Sequence, residues 1–199
     1  AFTTPIIHKH KGKDQLLIVG GDCITGHNPA TGKELWRWGT WNPEGIGHWR
    51  LVPSPVAGGG VALACAPKGN PIYAVNLDDA KLAWTSEDKE VSSDVSTPAF
   101  YKGDFYIINS DRKSLCSVAP DGTVHYASRI DSNSKIEASP TVADDKIYAI
   151  NHKGEAFVWA TGPEYKLLHK TEMGEGKDGE LRSSIAIASG NLFIRTDNK

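Results

Sequence analysis

Hydrophobic and polar positions alternate in short runs along this chain, and the runs return at regular intervals. Each interval opens with a hydroxyl residue followed by proline, and an apolar run and a tight turn come next. These marks lie at Thr4-Pro5, Ser54-Pro55, Thr97-Pro98 and Ser139-Pro140, with a fifth copy at Ser184-Ile185 that lacks the proline. Their spacings of 50, 43, 42 and 45 residues indicate an internal repeat.

The pattern within each repeat predicts four strands. The mark opens the first strand, and second strands are predicted near 16–21, 61–66, 105–109 and 147–151. Third strands follow near 24–28, 72–76, 115–119 and 156–160. Fourth strands end on Trp36, Trp84 and Tyr126, whereas the fourth repeat has only Leu168 and His169 there. No window longer than about ten residues has an apolar period of 3.6, so the chain is predicted to be all-β.

A strand-built repeat in the forties is typical of a β-propeller with one repeat per four-stranded antiparallel blade. We predict about four blades and the start of a fifth in one propeller segment, with repeats at 4–50, 51–93, 94–135, 136–179 and a partial 180–199. An open array leaves strand edges and blade faces uncovered. We therefore expect a larger ring of seven or eight blades, which missing blades or another copy would complete; a self-closed four-bladed ring is the alternative.

The run NPATGKELW at 28–36 resembles the tryptophan-docking motif of the pyrroloquinoline-quinone-like (PQQ-like) β-propeller repeat family. The second repeat keeps Trp84 but not the glycine, and the third keeps Asp121 and Gly122 with Tyr126 in place of the tryptophan. The resemblance covers about residues 4–195. It implies that Trp36, Trp84 and Tyr126 have a structural role, docking adjacent blades.

The family includes PQQ- and calcium-dependent dehydrogenases as well as non-catalytic, BamB-like members. The alcohol dehydrogenases commonly carry two adjacent cysteines, whereas Cys23, Cys65 and Cys116 are far apart here. We therefore expect a binding or scaffolding module without a cofactor. The alternative is a fragment of a dehydrogenase that uses PQQ and calcium to oxidise an alcohol or a sugar. The resemblance also implies a periplasmic, outer-membrane-attached or secreted location.

Composition narrows the partners. The formal net charge is -2 with Lys and Arg scattered singly, so nothing indicates nucleic-acid binding. No stretch approaches the roughly 18 apolar residues of a transmembrane helix. The cysteines lack the spacing of a zinc site or a disulfide scaffold, and we expect small apolar strand residues, with one long-range disulfide left open.

One connection is longer than its counterparts. Between Trp36 and Pro55 the chain has five more residues than the matching connections of the next two repeats. This glycine-rich loop contains Trp41, His48, Trp49 and Arg50. Because propellers carry recognition on surface loops, we predict that a protein or small-molecule ligand binds here, at a propeller rim. Alternatively, the tryptophans anchor the loop onto the blade.

Charged residues precede the successive marks and predict a polar ring around one opening of the central channel. Its members are Asp94, Lys135, Glu137, Glu180 and Arg182, with Arg50 beside them. Solvated charges at strand entries are the alternative interpretation. No residue of the chain is predicted to be catalytic or to bind a metal ion.

Overall fold

The structure, a computed structural model, describes residues 1–39, 41–48, 50–67, 70–173 and 180–196. Within these ranges the regular elements are all strands, and none of the described residues belongs to a helix that could cross a membrane. The all-β prediction is confirmed.

The eighteen strands of the described ranges form four four-stranded antiparallel sheets and one hairpin, each with its strands in chain order. The first sheet contains β1 (Ile6–His10), β2 (Lys13–Val19), β3 (Ile24–His27) and β4 (Glu34–Trp38). The second contains β5 (Val56–Gly58), β6 (Val61–Cys65), β7 (Ile72–Asn76) and β8 (Leu82–Thr85). The third contains β9 (Ala99–Tyr101), β10 (Asp104–Asn109), β11 (Ser114–Val118) and β12 (Val124–Arg129). The fourth contains β13 (Thr141–Ala143), β14 (Lys146–Ile150), β15 (Glu155–Ala160) and β16 (Leu167–Glu172), and the hairpin contains β17 (Ala186–Ala188) and β18 (Asn191–Phe193).

These sheets are the predicted four blades and the start of a fifth. One prediction of strand bounds was wrong. Strand β2 begins at Lys13 rather than near residue 16, because a two-residue turn at Lys11 and Gly12, both with positive φ, pairs His10 with Lys13. The partial repeat predicted at 180–199 contributes the short hairpin of β17 and β18. The prolines of the four marks lie directly before β1, β5, β9 and β13, where a missing N–H removes no ladder hydrogen bond.

The hydroxyl residues of the marks link successive blades. The backbone N–H of Thr4 donates to Oγ of Ser54 at 2.9 Å, and the N–H of Ser54 donates to Oγ1 of Thr97 at 3.0 Å. The N–H of Thr97 donates to Oγ of Ser139 at 2.9 Å, and the N–H of Ser139 donates to Oγ of Ser184 at 3.0 Å. From the second mark onward, each hydroxyl therefore satisfies a backbone donor of the preceding blade, which explains why a hydroxyl residue recurs there.

The core lies between the sheets, and the strand period decides which way each side chain points. In β6, Ala62 and Ala64 pack toward the first sheet, while Val61, Leu63 and Cys65 pack toward the third. All five of these residues are buried, as expected for a strand covered on both faces. The first strands of the second, third and fourth sheets and of the hairpin contact one another in order, so they line the inside of the array.

The array has two rims, which we name by what they carry. The turn rim carries the turns between first and second strands and between third and fourth strands. Across it, Oδ1 of Asp78 accepts hydrogen bonds from Nε2 of His10 at 2.8 Å and lies 2.6 Å from Nζ of Lys11. The mouth rim carries the turns between second and third strands and the connections between sheets. There, Nε1 of Trp41 donates to the carbonyl of Gly21 at 3.2 Å.

Candidate binding site at the mouth rim

The long connection between β4 and β5 is anchored by Trp41. Trp41 is only 8% exposed, and its ring stacks on Tyr73 of the second sheet with ring centroids 5.9 Å apart and an angle of 16° between the ring planes. Trp38 packs against both rings. The structure thus places Trp41 in the core between the first two sheets. Of the two interpretations of this side chain, its position fits the anchor and not an exposed stacking face.

Beyond this anchor the loop is closed by its own polar contacts. The amide of Asn42 accepts from the N–H of Ile46 at 2.9 Å and donates to the carbonyl of Ile46 at 3.3 Å. The N–H of Gly45 donates to the carbonyl of Asn42 at 3.0 Å. Glu44 and His48 are exposed, whereas Trp49 lies outside the described residues. The described part of the loop is therefore a compact projection that offers polar groups to a partner.

A pocket of about 390 Å³ opens beside the end of this loop. Its wall is formed by Arg50, Val52, Asp94, Val95, Glu137 and Arg182. These residues come from the four connections that precede β5, β9, β13 and β17. Because those strands line the inside of the array, the pocket lies at the mouth of the channel. The structure thus brings three predicted ring residues together with Arg50.

Two acidic groups contact Arg182 of the pocket wall. Nη2 of Arg182 lies 2.6 Å from Oε2 of Glu180, and its Nε lies 3.4 Å from Oε2 of Glu137. The hydrogen bond from Arg182 lowers the pKa of Glu180 and correspondingly raises that of Arg182. Nε2 of the buried His152 lies 3.1 Å from Oε2 of Glu137 without the geometry of a hydrogen bond.

Of the remaining predicted ring residues, Glu180 is held by Arg182, and Lys135 contacts a residue of a neighbouring pocket. The amine of Lys135 pairs with the carboxylate of Asp111, which raises the pKa of Lys135. A second pocket of about 310 Å³ is lined by Lys89, Ser92, Asp94, Asn109, Asp111 and Arg112. Asp94 borders both pockets, so the charged residues of the mouth rim form one continuous polar surface.

Arg50 differs from Arg182, the other cation in the wall of the first pocket. It is exposed, and it makes no hydrogen bond or ion pair with any residue in the described part of the chain. Its guanidinium therefore keeps its full hydrogen-bonding capacity for a ligand.

The three aromatic residues predicted to dock blades make different contacts. Nε1 of Trp84 donates to the carbonyl of Pro120 at 2.8 Å, and its ring lies against Gly122 of the third sheet. A Cβ at Gly122 would come within 2.9 Å of the Trp84 ring, so the close approach needs glycine. Trp84 thus contacts the next blade.

Trp36 and Tyr126 vary this arrangement. Nε1 of Trp36 donates to Oε1 of Gln15 at 2.7 Å within its own sheet, and the ring lies over Gly26. Tyr126 meets Tyr165 of the fourth sheet edge to face at 5.7 Å. Burial raises the pKa of Tyr126, whose buried hydroxyl has no hydrogen-bond partner among the described residues.

The three cysteines are free thiols. Cys65 and Cys116 are buried in strands, and burial raises the pKa of each thiol to about 12. Cys23 is half-buried in the turn before β3 rather than in a strand, and its Sγ accepts from Nη1 of Arg37 at 3.0 Å. No two of them are joined, so the long-range disulfide left open by the sequence does not form in this structure.

The donor set at the mouth does not fit a calcium-bound quinone. Calcium needs several oxygen ligands that converge on one point. In the described ranges no three His, Cys, Asp or Glu side chains are grouped to hold a metal ion. Glu137 and Glu180 are already held by Arg182. The dehydrogenase alternative therefore gains no supporting observation from these residues.

Comparison with known proteins decides the family. A family model described as outer membrane protein assembly factor BamB matches residues 4–199. The chain belongs to this family. The predicted resemblance to PQQ-like, BamB-like propellers is confirmed. A search of curated proteins found no significant match to the chain.

Solved structures show the same fold. The crystal structure of BamB from Moraxella catarrhalis matches with a TM-score of 0.65 and 10% sequence identity, over 92% of this chain and 56% of that one. The computationally designed protein Ika8 matches with a TM-score of 0.64 and 14% identity, over 96% of this chain and 60% of the design. The computationally designed protein Ika4 matches with a TM-score of 0.58 and 15% identity, over 80% of this chain and 92% of the design. This chain thus spans little more than half the length of the first two.

Proposed function

We propose that this chain is a non-catalytic binding module that recognises a protein partner through the mouth rim of its propeller. The family name, outer membrane protein assembly factor, supports a role as a scaffold in the assembly of outer-membrane proteins, in an extracytoplasmic compartment. We further propose that Trp84 docks the second blade onto the third, through its hydrogen bond to Pro120 near the turn rim.

The observation that carries this proposal is the loop between β4 and β5. It projects beyond the blade on the Trp41 anchor, is closed by Asn42, and ends beside the charged pocket that contains Arg50. Compact surface loops held by a rigid scaffold are common recognition elements, and arginine is frequent in binding hot spots.

Removal of residues 43–47 tests the proposal, because it returns the connection to the length of its counterparts. The polar contacts described for this segment are internal to the loop, so Trp41 and the core stay in place. In the complete protein, expressed in its own host, we expect unchanged protein levels and thermal unfolding but a lower yield of folded outer-membrane proteins.

The matched control is Glu164→Ala, which alters an exposed residue in a turn of the opposite rim. It should leave the yield of outer-membrane proteins unchanged. Normal assembly with the shortened loop, or an equal defect with the control, would contradict recognition through the mouth rim.

A further inference from the structure

The mouth pocket has the chemistry of a site for a peptide carboxylate. We propose that Arg50 binds a single carboxylate of a peptide, either its C-terminal group or an acidic side chain, while Val52 and Val95 receive the adjoining aliphatic group. This inference rests on the proposed function, since it names the ligand that the mouth rim recognises.

Pocket size supports a ligand of this kind. A volume of about 390 Å³ lies within the range of small-ligand sites and admits one or two amino-acid residues. Four connections form its wall, so its shape depends on backbone from several blades rather than on one mobile side chain.

Of the two arginines in the pocket wall, only Arg50 is placed to bind an anionic group of a ligand. Arg182 is shared between Glu137 and Glu180, at 3.4 and 2.6 Å, whereas Arg50 has no such partner in the described part of the chain. A guanidinium can bind a carboxylate through two parallel, charge-assisted hydrogen bonds, which are stronger than hydrogen bonds between neutral groups.

The rest of the wall limits what else can bind. Asp94 and Glu137 also line the pocket, so a second negative charge on the ligand would meet repulsion. Val52 and Val95 are half-buried and give the pocket an apolar side. The preferred ligand therefore carries one carboxylate next to an aliphatic group, and a polyacidic chain is disfavoured.

Amide chemical-shift titrations of the full chain with short peptides test this assignment. Acetyl-Gly-Ala-Val with a free carboxylate should bind at the pocket, and the same peptide as its C-terminal amide should bind at least tenfold more weakly. Acetyl-Gly-Glu-Val-amide, compared with its Gln counterpart, shows whether an acidic side chain serves instead. If neither carboxylate peptide binds more tightly than its neutral counterpart, the proposal is wrong.

Variants assign the effect to Arg50. Arg50→Ala should raise the Kd at least tenfold. Arg50→Lys keeps the charge but loses the paired N–H donors of the guanidinium, so its Kd should lie between those of the parent and Arg50→Ala. Arg129→Ala, which removes an exposed arginine outside the pocket, is the matched control and should bind as the parent does. Equal binding by Arg50→Ala and the parent would overturn the assignment.

The outcome is separable from that of the loop deletion, which leaves Arg50 and the pocket in the chain. A defect in assembly without peptide binding would retain the mouth rim as the recognition surface and reject the carboxylate site. Peptide binding without an assembly defect would retain the site and reject the role of the loop.

Discussion

The two rims of the array differ in what their charged and aromatic residues contact. At the turn rim these groups hold blades together: Asp78 binds His10 and Lys11 across one seam, and Lys102 binds Asp145 at 2.6 Å across another. At the mouth rim many charges are also paired, but the pocket wall includes a cation, Arg50, without a described partner. The position of an arginine without a described partner in a pocket wall, rather than charge density, therefore makes the mouth rim suited to a ligand.

The aromatic residues follow the same division. Trp84 joins two blades near the turn rim, with its N–H on the carbonyl of Pro120. Trp41 at the mouth rim instead fixes a loop whose exposed residues lie beyond it. Both rings contact a neighbouring sheet, but only the second lies at the base of a loop with exposed residues.

Trp84→Ala should produce the largest loss of stability. The half-buried ring fills the contact with Gly122, and its removal leaves a cavity and an unpaired carbonyl, which should lower the free energy of unfolding by about 3 kcal/mol. Leu82→Ala, at an exposed position of the same strand, is the control and should change it little. Denaturant unfolding measures both.

Because Trp84 lies away from the mouth, the surviving folded protein should still bind the carboxylate peptide.

Glu155→Gln should be the next most harmful. Glu155 is 5% exposed, and its carboxylate accepts from the N–H of Asn133 at 3.0 Å and lies 2.9 Å from Nζ of Lys170. The neutral amide leaves Lys170 without its closest carboxylate, and we expect the free energy of unfolding to fall by about 2 kcal/mol. The matching position of the third sheet is the neutral Ser114, so the third sheet has no buried carboxylate at this position.

The same residue predicts acid sensitivity. Burial acts to raise the pKa of Glu155, but the contacts with Lys170, Asn133 and Asn151 lower it below the ordinary 4.5. A lowered folded-state pKa stabilises the protein above the unfolded-state value, and this contribution is lost as the pH falls through the folded-state value. Unfolding followed from pH 7 to pH 3 should therefore show a shallower decline for Glu155→Gln than for the parent. Parallel declines would contradict this account.

Ser139→Ala should have a smaller effect, because it removes one acceptor from the series of hydroxyl contacts. The N–H of Thr97 would lose its partner, which should cost about 1 kcal/mol. Ser139→Thr keeps the hydroxyl that other marks already use and should retain most of the stability. If both variants unfold alike, the hydroxyl is not what the mark contributes. Thermal unfolding of the pair decides the matter.

Tyr126→Phe should have the smallest effect, near zero or slightly stabilising. Its buried hydroxyl has no hydrogen-bond partner in the described ranges, so its removal breaks no bond there. Tyr106→Phe is the contrast, because Oη of Tyr106 accepts from the N–H of Gly162 at 2.8 Å across the seam. We expect a loss of about 1 kcal/mol for the latter in the same unfolding experiment. A larger loss for Tyr126→Phe would reveal a partner at its hydroxyl.

The sequence predicted most of the fold because its signals are local. Proline placement, two-residue turns and period-two alternation all act within a few residues, and they predicted strand order in every blade. The hydrogen bond from Thr97 to Ser139 could not be predicted in this way, because it joins residues 42 apart across a seam. The reason for a hydroxyl residue in each mark is therefore clear only from the contact between blades in the structure.

The candidate site was predicted less completely for the same reason. The loop and the charged residues are visible in the sequence, but Trp41 is buried by Tyr73 from the next sheet, which no local pattern indicates. Lys135 carries the expected charge, yet its amine is taken by Asp111. That Arg50 keeps its guanidinium unpaired among the described residues follows only from three-dimensional contacts.

Photocrosslinking from the two rims tests the central claim, that the mouth rim recognises partners, most directly. A photoreactive amino acid would replace Glu44 in the mouth loop or Glu164 at the turn rim, in the complete protein within its host cell envelope. We predict adducts with components of outer-membrane protein assembly from position 44 and none from position 164. Adducts from position 164 alone, or equal adducts from both positions, would contradict the claim.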